Sequence, residues 1–187
     1  MKMLVTGGYG FIGSNFIINQ INQSNNSVLN IDSLTYAGNL NNLKSIEKSN
    51  RYKFVKADIC DSKKILKTIK NYEPDAIIHF AAESHVDRSI DNPMTFIQTN
   101  IIGTATLLYS VTNFLKSNPN KKFRFLHVST DEVYGSLGKE GYFLESTPYS
   151  PNSPYSASKA SSDHLVRAWN QTYKLPILIT NCSNNYG

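Results

Sequence analysis

The sequence predicts an α/β domain in which helices cover both faces of a parallel sheet. Short apolar runs alternate with segments of helical periodicity along the 187 residues, and this alternation favours right-handed crossovers between parallel strands. The run Asp75 to Ala82 is almost continuously apolar, which is typical of a strand buried on both faces. A glycine-rich stretch, TGGYGFIG, joins the first predicted strand to the first predicted helix. Together these features predict a doubly wound, Rossmann-type sheet.

The first half of the chain predicts three strands, with helices between them. The polar, Asn-rich stretch 32–50 is predicted to be a long loop or to hold a short helix. Residues at helical spacing, Phe11, Ile12, Phe16, Ile17 and Ile21, predict the first helix. The predicted elements are the strands Lys2–Thr6, Ser27–Ile31 and Tyr52–Ala57 and the helices Phe11–Gln23 and Ser62–Asn71.

The second half continues the alternation with longer helices. A long helix is predicted from apolar residues at helical spacing, namely Phe96, Ile97, Ile101, Leu107, Leu108 and Val111. The predicted elements are the strands Asp75–Ala82, Phe123–Ser129 and Pro176–Thr180 and the helices Pro93–Lys116 and Pro154–Lys174.

Composition and charge favour a globular protein that binds neither nucleic acid nor membrane. The net charge is +5, but the lysines are scattered in short pairs without a basic run or interleaved aromatic residues. The two cysteines, Cys60 and Cys182, lack metal-ligand spacing and are interpreted as reduced thiols, so no metal site is predicted. The N-terminus MKMLVTGG lacks the apolar region of a signal peptide. We therefore expect a cytoplasmic protein.

The glycine-rich turn indicates a dinucleotide site. Gly7, Gly10 and Gly13 follow a strand and open a helix, which is the context that this motif requires. Glycines allow a tight turn and let the backbone approach a pyrophosphate, while the helix N-terminus offers free N–H groups.

Two aspartates at strand ends extend this site. Asp32 ends the second strand, where a carboxylate accepts hydrogen bonds from ribose hydroxyls and repels a 2′-phosphate. The sequence therefore favours NAD over NADP. Asp58 and Ile59 end the third strand and are placed to meet the adenine, although a plain strand-end aspartate is the alternative.

A tyrosine and a lysine share one face of the helix that begins at Pro154. Tyr155 and Lys159 are four positions apart, and Thr130 ends the preceding strand. A free tyrosine has a pKa of about 10. A neighbouring ammonium and a bound NAD⁺ ring would lower this pKa and stabilise the phenolate. The chemistry predicted for the pair is proton transfer beside a nicotinamide.

Adjacent carboxylates follow the fifth strand in the stretch STDEVYG. Asp131 and Glu132 stand side by side at the end of a strand, although like charges repel. Two close carboxylates share protons, and repulsion raises one of their apparent pKa values. The alternative is a solvated acidic turn.

Six stretches spread along the chain carry a family resemblance. They are TGGYGFIGSNF, NIDSLTYAGNLNNL, HFAAESHVDRSI, HVSTDEVYGSLG, SPYSASKASSDHLVRAW and TNCSNNYG. With them the chain resembles the extended short-chain dehydrogenase/reductase family of nucleotide-sugar enzymes, and within it the dTDP-glucose 4,6-dehydratases. The glycine loop and the Tyr/Lys pair mark the superfamily, whereas SHVDRSI and STDEVYG mark the dehydratase group.

The resemblance implies a lyase that converts dTDP-glucose to dTDP-4-keto-6-deoxyglucose and water. The sugar is oxidised transiently at C4 with bound NAD, water is eliminated across C5–C6, hydride returns to C6, and C5 regains a proton. The implied catalytic residues are Thr130, Asp131, Glu132, Tyr155 and Lys159, with Tyr155 as base at the C4 hydroxyl, Glu132 as base at C5 and Asp131 as acid at C6.

The resemblance also assigns binding residues. The implied NAD contacts are Gly7, Gly10, Phe11, Ile12, Gly13, Asp32, Ser33, Leu34, Thr35, Asp58, Ile59, Phe80, Ala81, Ala82, Ser84, Thr99, Tyr155, Lys159 and Asn185. The implied substrate contacts are Ser84, Thr130 and Asn184. Arg88 is expected to hold phosphate or to form a salt bridge, and the salt bridge is favoured. His79 and His127 are interpreted as hydrogen-bonded core residues, and His164 as a surface or interface residue.

The organisation expected from the resemblance is a homodimer of longer chains. The helices that start near Pro93 and Pro154 would pair across a two-fold axis as a four-helix bundle. Residues 1–187 would form the NAD-binding domain, with the C-terminal substrate domain of the family mostly absent. A UDP-sugar 4,6-dehydratase, another nucleotide-sugar epimerase or dehydratase, and a non-catalytic NAD-binding module remain as alternatives.

Overall fold

The computed structural model describes residues 1–186 and contains one parallel sheet. Within those residues the sheet has six strands, β1 (Lys2–Thr6), β2 (Ser27–Asp32), β3 (Tyr52–Lys56), β4 (Ala76–His79), β5 (Arg124–Thr130) and β6 (Ile177–Cys182). Their order across the sheet is β3-β2-β1-β4-β5-β6, which confirms the doubly wound, Rossmann-type sheet predicted from the sequence.

Helices connect most of the strands and cover both faces of the sheet. They are α1 (Phe11–Gln23), α2 (Ser62–Tyr72), α3 (Val86–Asp91), α4 (Pro93–Phe96), α5 (Thr104–Lys116) and α6 (Pro154–Tyr173), with a π-helical segment (Ile97–Gly103) that joins α4 to α5 and 3-10 turns at Leu40–Leu43 and Asp131–Tyr134. None of the helices in residues 1–186 is long and apolar enough to cross a membrane.

The core consists of two apolar clusters, one on each face of the sheet. Successive residues of a strand point to opposite faces, so Leu4 packs with α2, α5 and α6 whereas Val5 packs with α1. Ile77 and Ile78 of β4 divide in the same way, and both are buried. This confirms the prediction that β4 is covered on both faces.

The structure corrects the predicted end of the fourth strand. β4 ends at His79 and not at Ala82. The Phe80 N–H still donates to the Thr6 carbonyl at 3.1 Å, but the Ala81 N–H donates to the Thr6 hydroxyl at 3.3 Å. A side chain therefore replaces the backbone as acceptor, and the chain leaves the sheet beside the glycine loop.

The long helix predicted from Pro93 to Lys116 is continuous but not regular. Its middle is a π-helical segment that contains the buried Asn100. The Asn100 side chain accepts from the Glu83 N–H at 2.9 Å and donates to the Glu83 carbonyl at 3.0 Å and to the Ser158 hydroxyl at 2.8 Å. The segment therefore connects the loop after β4 to α6. The short helix α3 was not predicted from the sequence.

Candidate active site

A cavity of about 640 Å³ lies at the carboxyl ends of the strands, where the order reverses between β1 and β4. Both its volume and its position are typical of a small-molecule site in an open α/β sheet. The predicted residues that line it are Gly7, Gly10, Phe11, Ile12, Gly13, Asp32, Ser33, Thr35, Asp58, Ile59, Phe80, Ala81, Ala82, Ser84, Thr99, Thr130, Glu132, Tyr155, Lys159, Asn184 and Asn185.

Two predicted residues lie outside the cavity lining, and several lining residues were not predicted. Leu34 and Asp131 do not line the cavity. The additional lining residues are Ile31, Ala37, Gly38, Ala57, Glu83, His85, Val128, Ser129, Cys182 and Ser183. Most of them are next to a predicted residue in the sequence. Including every residue around each predicted strand end would therefore have identified them.

The glycine loop is built for close approach of backbone segments. Gly7 has φ +71°, and a Cβ atom there would lie 2.6 Å from the Ala81 nitrogen. A side chain at position 7 would therefore push the β1 loop away from the chain that follows β4. The helix α1 begins at Phe11 after Gly10, which has no side chain to cap the first N–H groups. These groups face the cavity end of the loop and suit an anionic ligand.

Asp32 is the buried acid at the adenosine end of the predicted site. One of its oxygens accepts from the Tyr9 N–H at 2.9 Å and the other from the Leu34 N–H at 2.8 Å. These bonds fix the carboxylate at the end of β2, where it lines the cavity. Leu34 therefore acts through its backbone, in a left-handed conformation with φ 57°.

Arg88 does not form the salt bridge favoured from the sequence. Its guanidinium carbon lies 3.7 Å from the centre of the Tyr36 ring, a cation–π contact. No acidic partner lies within salt-bridge distance of Arg88 among residues 1–186. The aromatic face takes the place of the expected carboxylate.

Tyr155 and Lys159 enter the cavity from the first turns of α6. Ser153 caps this helix through a reciprocal bond with Ser156, and Pro154 occupies its first turn. Lys159 is almost fully buried, and its Nζ donates to the Val128 carbonyl at 2.8 Å. Burial lowers the pKa of Lys159 to about 8, and Asp163 acts in the opposite direction.

The chain alone does not produce the lowered pKa expected for Tyr155. Burial and the Glu132 carboxylate raise its pKa to about 12, whereas the Thr130 hydroxyl acts to lower it. Removing a phenolic proton beside carboxylates is unfavourable because two negative charges repel. The expectation rested on positive charge close to the ring, but in the chain alone burial is the largest cause and the carboxylates raise the pKa of Tyr155 further.

The two adjacent carboxylates lie on a 3-10 turn that directly follows β5. Thr130 caps this turn, since its hydroxyl accepts from the Glu132 N–H at 3.3 Å. Burial, and then the Asp131 charge, raise the pKa of Glu132. The Asp131 charge thus contributes to the raised pKa of Glu132 in the direction expected for a pair, but burial is the larger cause. The Asp131 carboxylate accepts from the Thr130 hydroxyl at 3.4 Å but lies beyond the cavity lining.

His79 is hydrogen-bonded in the core as the sequence predicted, whereas His127 is buried in the core without a hydrogen bond among residues 1–186. His79 is buried between the hydroxyls of Thr6 and Thr104, at 2.7 Å and 3.0 Å. His127 is also buried, with its Nε2 3.2 Å from an Asp163 oxygen. His164 is exposed and lies against the Tyr149 ring. Cys60 and Cys182 are free thiols.

Sequence comparison places the chain among nucleotide-sugar dehydratases. The family model described as GDP-mannose 4,6 dehydratase matches residues 4–187. The dTDP-glucose 4,6-dehydratase of Xanthomonas campestris pv. campestris (strain B100) is 58% identical over 187 residues, which are 98% of this chain and 53% of the relative. An Escherichia coli dTDP-glucose 4,6-dehydratase is 56% identical and is covered over 55% of its length. The chain thus spans about half the length of these curated relatives.

Solved structures agree with this placement. The crystal structure of DesIV, a dTDP-glucose 4,6-dehydratase from Streptomyces venezuelae with NAD and TYD bound, is 47% identical and superposes with a TM-score of 0.91. The alignment covers 100% of this chain and 57% of DesIV. A UDP-glucose 4-epimerase from Thermotoga maritima is 29% identical, with a TM-score of 0.88 over 100% of this chain and 57% of the epimerase. The chain therefore belongs to the GDP-mannose 4,6 dehydratase family.

Proposed function

We propose that residues 1–187 form an NAD-binding domain. The cavity brings the open glycine loop, the free N–H groups of α1 and the Asp32 carboxylate to one side of the switch point. This arrangement fits a dinucleotide with an unphosphorylated ribose. Solved relatives from Streptomyces venezuelae and Bacillus anthracis contain NAD. When bound, NAD would accept a hydride from the sugar and later return it.

We further propose that the protein converts dTDP-glucose to dTDP-4-keto-6-deoxyglucose and water. One observation carries this proposal: Thr130 and Glu132 at the end of β5 share a single cavity with Tyr155 and Lys159 of α6. Alcohol oxidation needs a base beside the hydroxyl, and elimination needs a second base beside the adjacent carbon. The cavity supplies a candidate for each task.

The first group of residues would act at C4. Tyr155 would take the proton of the C4 hydroxyl, and Thr130 would hydrogen-bond the same oxygen. Lys159, held by the Val128 carbonyl, would keep a positive charge close to that oxygen and hold the nicotinamide ribose. The raised pKa of Tyr155 in the chain alone means that this step depends on positive charge from Lys159 and from the bound cofactor.

The second group would perform the elimination. Glu132 lines the cavity and would remove the C5 proton, which the neighbouring ketone makes acidic. Asp131 would give a proton to the departing C6 hydroxyl. Because burial and repulsion raise the pKa of Glu132, the two carboxylates would exchange one proton as a coupled pair. Asp131 would have to turn toward the sugar, since it lies behind the Thr130 hydroxyl.

The substrate contacts and the assembly belong to the same proposal. Ser84 and Asn184 line the cavity beside the catalytic residues and would hold the sugar nucleotide. The helices that begin at Pro93 and Pro154 would form a homodimer interface, which the exposed side chains of Ile97, Ile102 and Tyr109 support. A cytoplasmic location stays a prediction from the sequence.

Mass spectrometry of the nucleotide sugar tests the proposed reaction. Residues 1–187 would be assayed alone and fused to the second half of the Xanthomonas campestris relative, with that half alone as the control. We expect the fusion to convert dTDP-glucose to a product that has lost one water. An isomeric sugar without loss of water would support an epimerase. Loss of water from UDP-glucose in preference would support a UDP-sugar dehydratase, and NAD binding without any turnover a non-catalytic module.

A further inference from the structure

Asp163 is a buried carboxylate on α6, one helical turn after Lys159. Its side chain is 2% exposed. One oxygen accepts from the Ser129 hydroxyl at 2.9 Å, the Tyr149 hydroxyl at 2.9 Å and the Asn181 amide at 3.3 Å. The other oxygen lies 3.2 Å from the His127 Nε2. Asp163 therefore joins α6 to β5, to β6 and to the loop before α6.

This network reaches the residue that ends β5. The Asn181 amide, which donates to Asp163, also donates to the Thr130 carbonyl at 3.3 Å. Ser129 directly precedes Thr130 in β5. The carboxylate thus connects the strand end that carries Thr130 to the helix that carries Tyr155 and Lys159, although it does not itself line the cavity.

Asp163 forms no salt bridge with Lys159 among residues 1–186, but it is a buried carboxylate four positions further along the same helix and acts on the Lys159 charge. The titratable groups that surround it and Lys159 are His79 on β4, His127 on β5, Cys182 on β6, Tyr155 on α6, Asp131 and Glu132 on the 3-10 turn, and Tyr134 and Tyr149 before α6. Burial lowers the pKa of both histidines, which are therefore neutral at pH 7. His127 and the Ser129 hydroxyl lower the pKa of Asp163, which stays ionised.

Lys159 needs a buried negative charge to remain an ammonium. Its side chain is enclosed, and its Nζ has one described acceptor, the Val128 carbonyl. Moving an ammonium from water into such surroundings favours the neutral amine unless an opposite charge lies close by. Within residues 1–186, Asp163 and Cys182 are the groups that act to raise the pKa of Lys159, and Asp163 has the larger effect.

We propose that Asp163 is a positioning residue that keeps Lys159 charged and fixes the end of β5 against α6. The catalytic importance of Lys159 rests on the function proposed above, but the effect of Asp163 on the charge of Lys159 does not. A titration of Lys159 in the chain alone, without NAD or sugar, therefore tests this inference separately from the reaction.

The experiment follows the lysine ¹³Cε signals of the isotope-labelled chain by NMR between pH 6 and pH 11, with Lys159→Arg to assign the Lys159 signal. In the wild-type chain we expect burial to lower the pKa of Lys159 to about 8. In Asp163→Asn we expect the pKa of Lys159 to fall by about 1 or more, the usual effect of losing a close opposite charge. At pH 7.5 the charged fraction of Lys159 would then fall about threefold.

Two variants separate the charge from the packing. Asp163→Glu keeps the charge and should restore much of the wild-type titration. Tyr149→Phe removes one hydrogen bond to Asp163 without removing the charge, so it should lower stability but leave the pKa of Lys159 unchanged. An unchanged pKa in Asp163→Asn, or an equal fall in Tyr149→Phe, would overturn the proposal.

If Asp163→Asn does not fold, measurements on the wild-type chain test the proposal. The labelled carboxyl carbon of Asp163 should then show a pKa below its ordinary value while Lys159 is charged at pH 7. A neutral Lys159 at pH 7, or an Asp163 that titrates above its ordinary range, would overturn the proposal.

Discussion

Replacing Asp32 by Asn tests how the site would distinguish NAD from NADP. Asp32 is 8% exposed and is fixed by the N–H groups of Tyr9 and Leu34. A 2′-phosphate within about 5 Å of this carboxylate would be repelled by about 3 kcal/mol per unit charge at an effective dielectric constant of about 20. We therefore expect the wild-type chain to prefer NAD⁺ over NADP⁺ by at least about 100-fold.

The Asp32→Asn variant should lose most of this preference. The side chain keeps its shape but loses its charge, so NADP⁺ binds more tightly and NAD⁺ more weakly. One of the two backbone N–H groups also loses its acceptor, which should lower the free energy of unfolding by about 1–3 kcal/mol. Calorimetric titration of both cofactors at one ionic strength measures the affinity ratio, and denaturant unfolding measures the stability.

Asp58 provides the matched control for a general effect of charge. It lies just after β3 and lines the cavity, where one oxygen accepts from the Cys60 N–H at 2.8 Å. We expect Asp58→Asn to change both affinities alike. An affinity ratio that is the same in the wild type and in Asp32→Asn, or that Asp58→Asn changes as much, would refute the role of Asp32.

Two further predictions concern stability and assembly. Burial lowers the pKa of His127 to about 4, so below about pH 6.5 the unfolded chain binds a proton that the native chain does not. Protonation of this histidine in the unfolded chain should therefore lower the free energy of unfolding by about 3 kcal/mol as the pH falls from about 6.5 to about 4. In His127→Gln the free energy of unfolding should fall less steeply over the same pH range. Tyr109 on α5 is 59% exposed, and Tyr109→Glu should convert the proposed dimer to a monomer in sedimentation, whereas Tyr142→Glu in the loop before α6 should not. A wild-type chain that sediments as a monomer at high concentration would contradict the dimer.

The fold was predictable because its signals are local. The alternation of strands and helices and the apolar run of β4 were sufficient for the sheet, and the helix α1 has the predicted bounds Phe11–Gln23. The errors lie where a tertiary contact replaces a regular pattern. The Thr6 hydroxyl ends β4 early, and the buried Asn100 lies in a π-helical segment that helical spacing does not reveal.

The site was predictable to the extent that it rests on strand ends and short motifs. The glycine loop, Asp32, Thr130, Tyr155 and Lys159 lie together because parallel strands end at one edge of the sheet. Asp163 escaped prediction because its partners Ser129, Tyr149 and Asn181 come from three other segments. The salt bridge of Arg88 was wrong because a tyrosine distant in sequence lies under the guanidinium.

The most direct test of the proposed dehydratase is Glu132→Gln in the fusion to the Xanthomonas campestris half. Without the base, loss of water should slow by about 10²–10⁴-fold. Oxidation at C4 depends on Tyr155 and not on Glu132, so NADH absorbance should rise and remain, while deuterium from the solvent fails to enter C5. Tyr155→Phe should instead give no NADH at all. Formation of the 4-keto-6-deoxy product by Glu132→Gln at the wild-type rate, with free exchange at C5, would contradict the account.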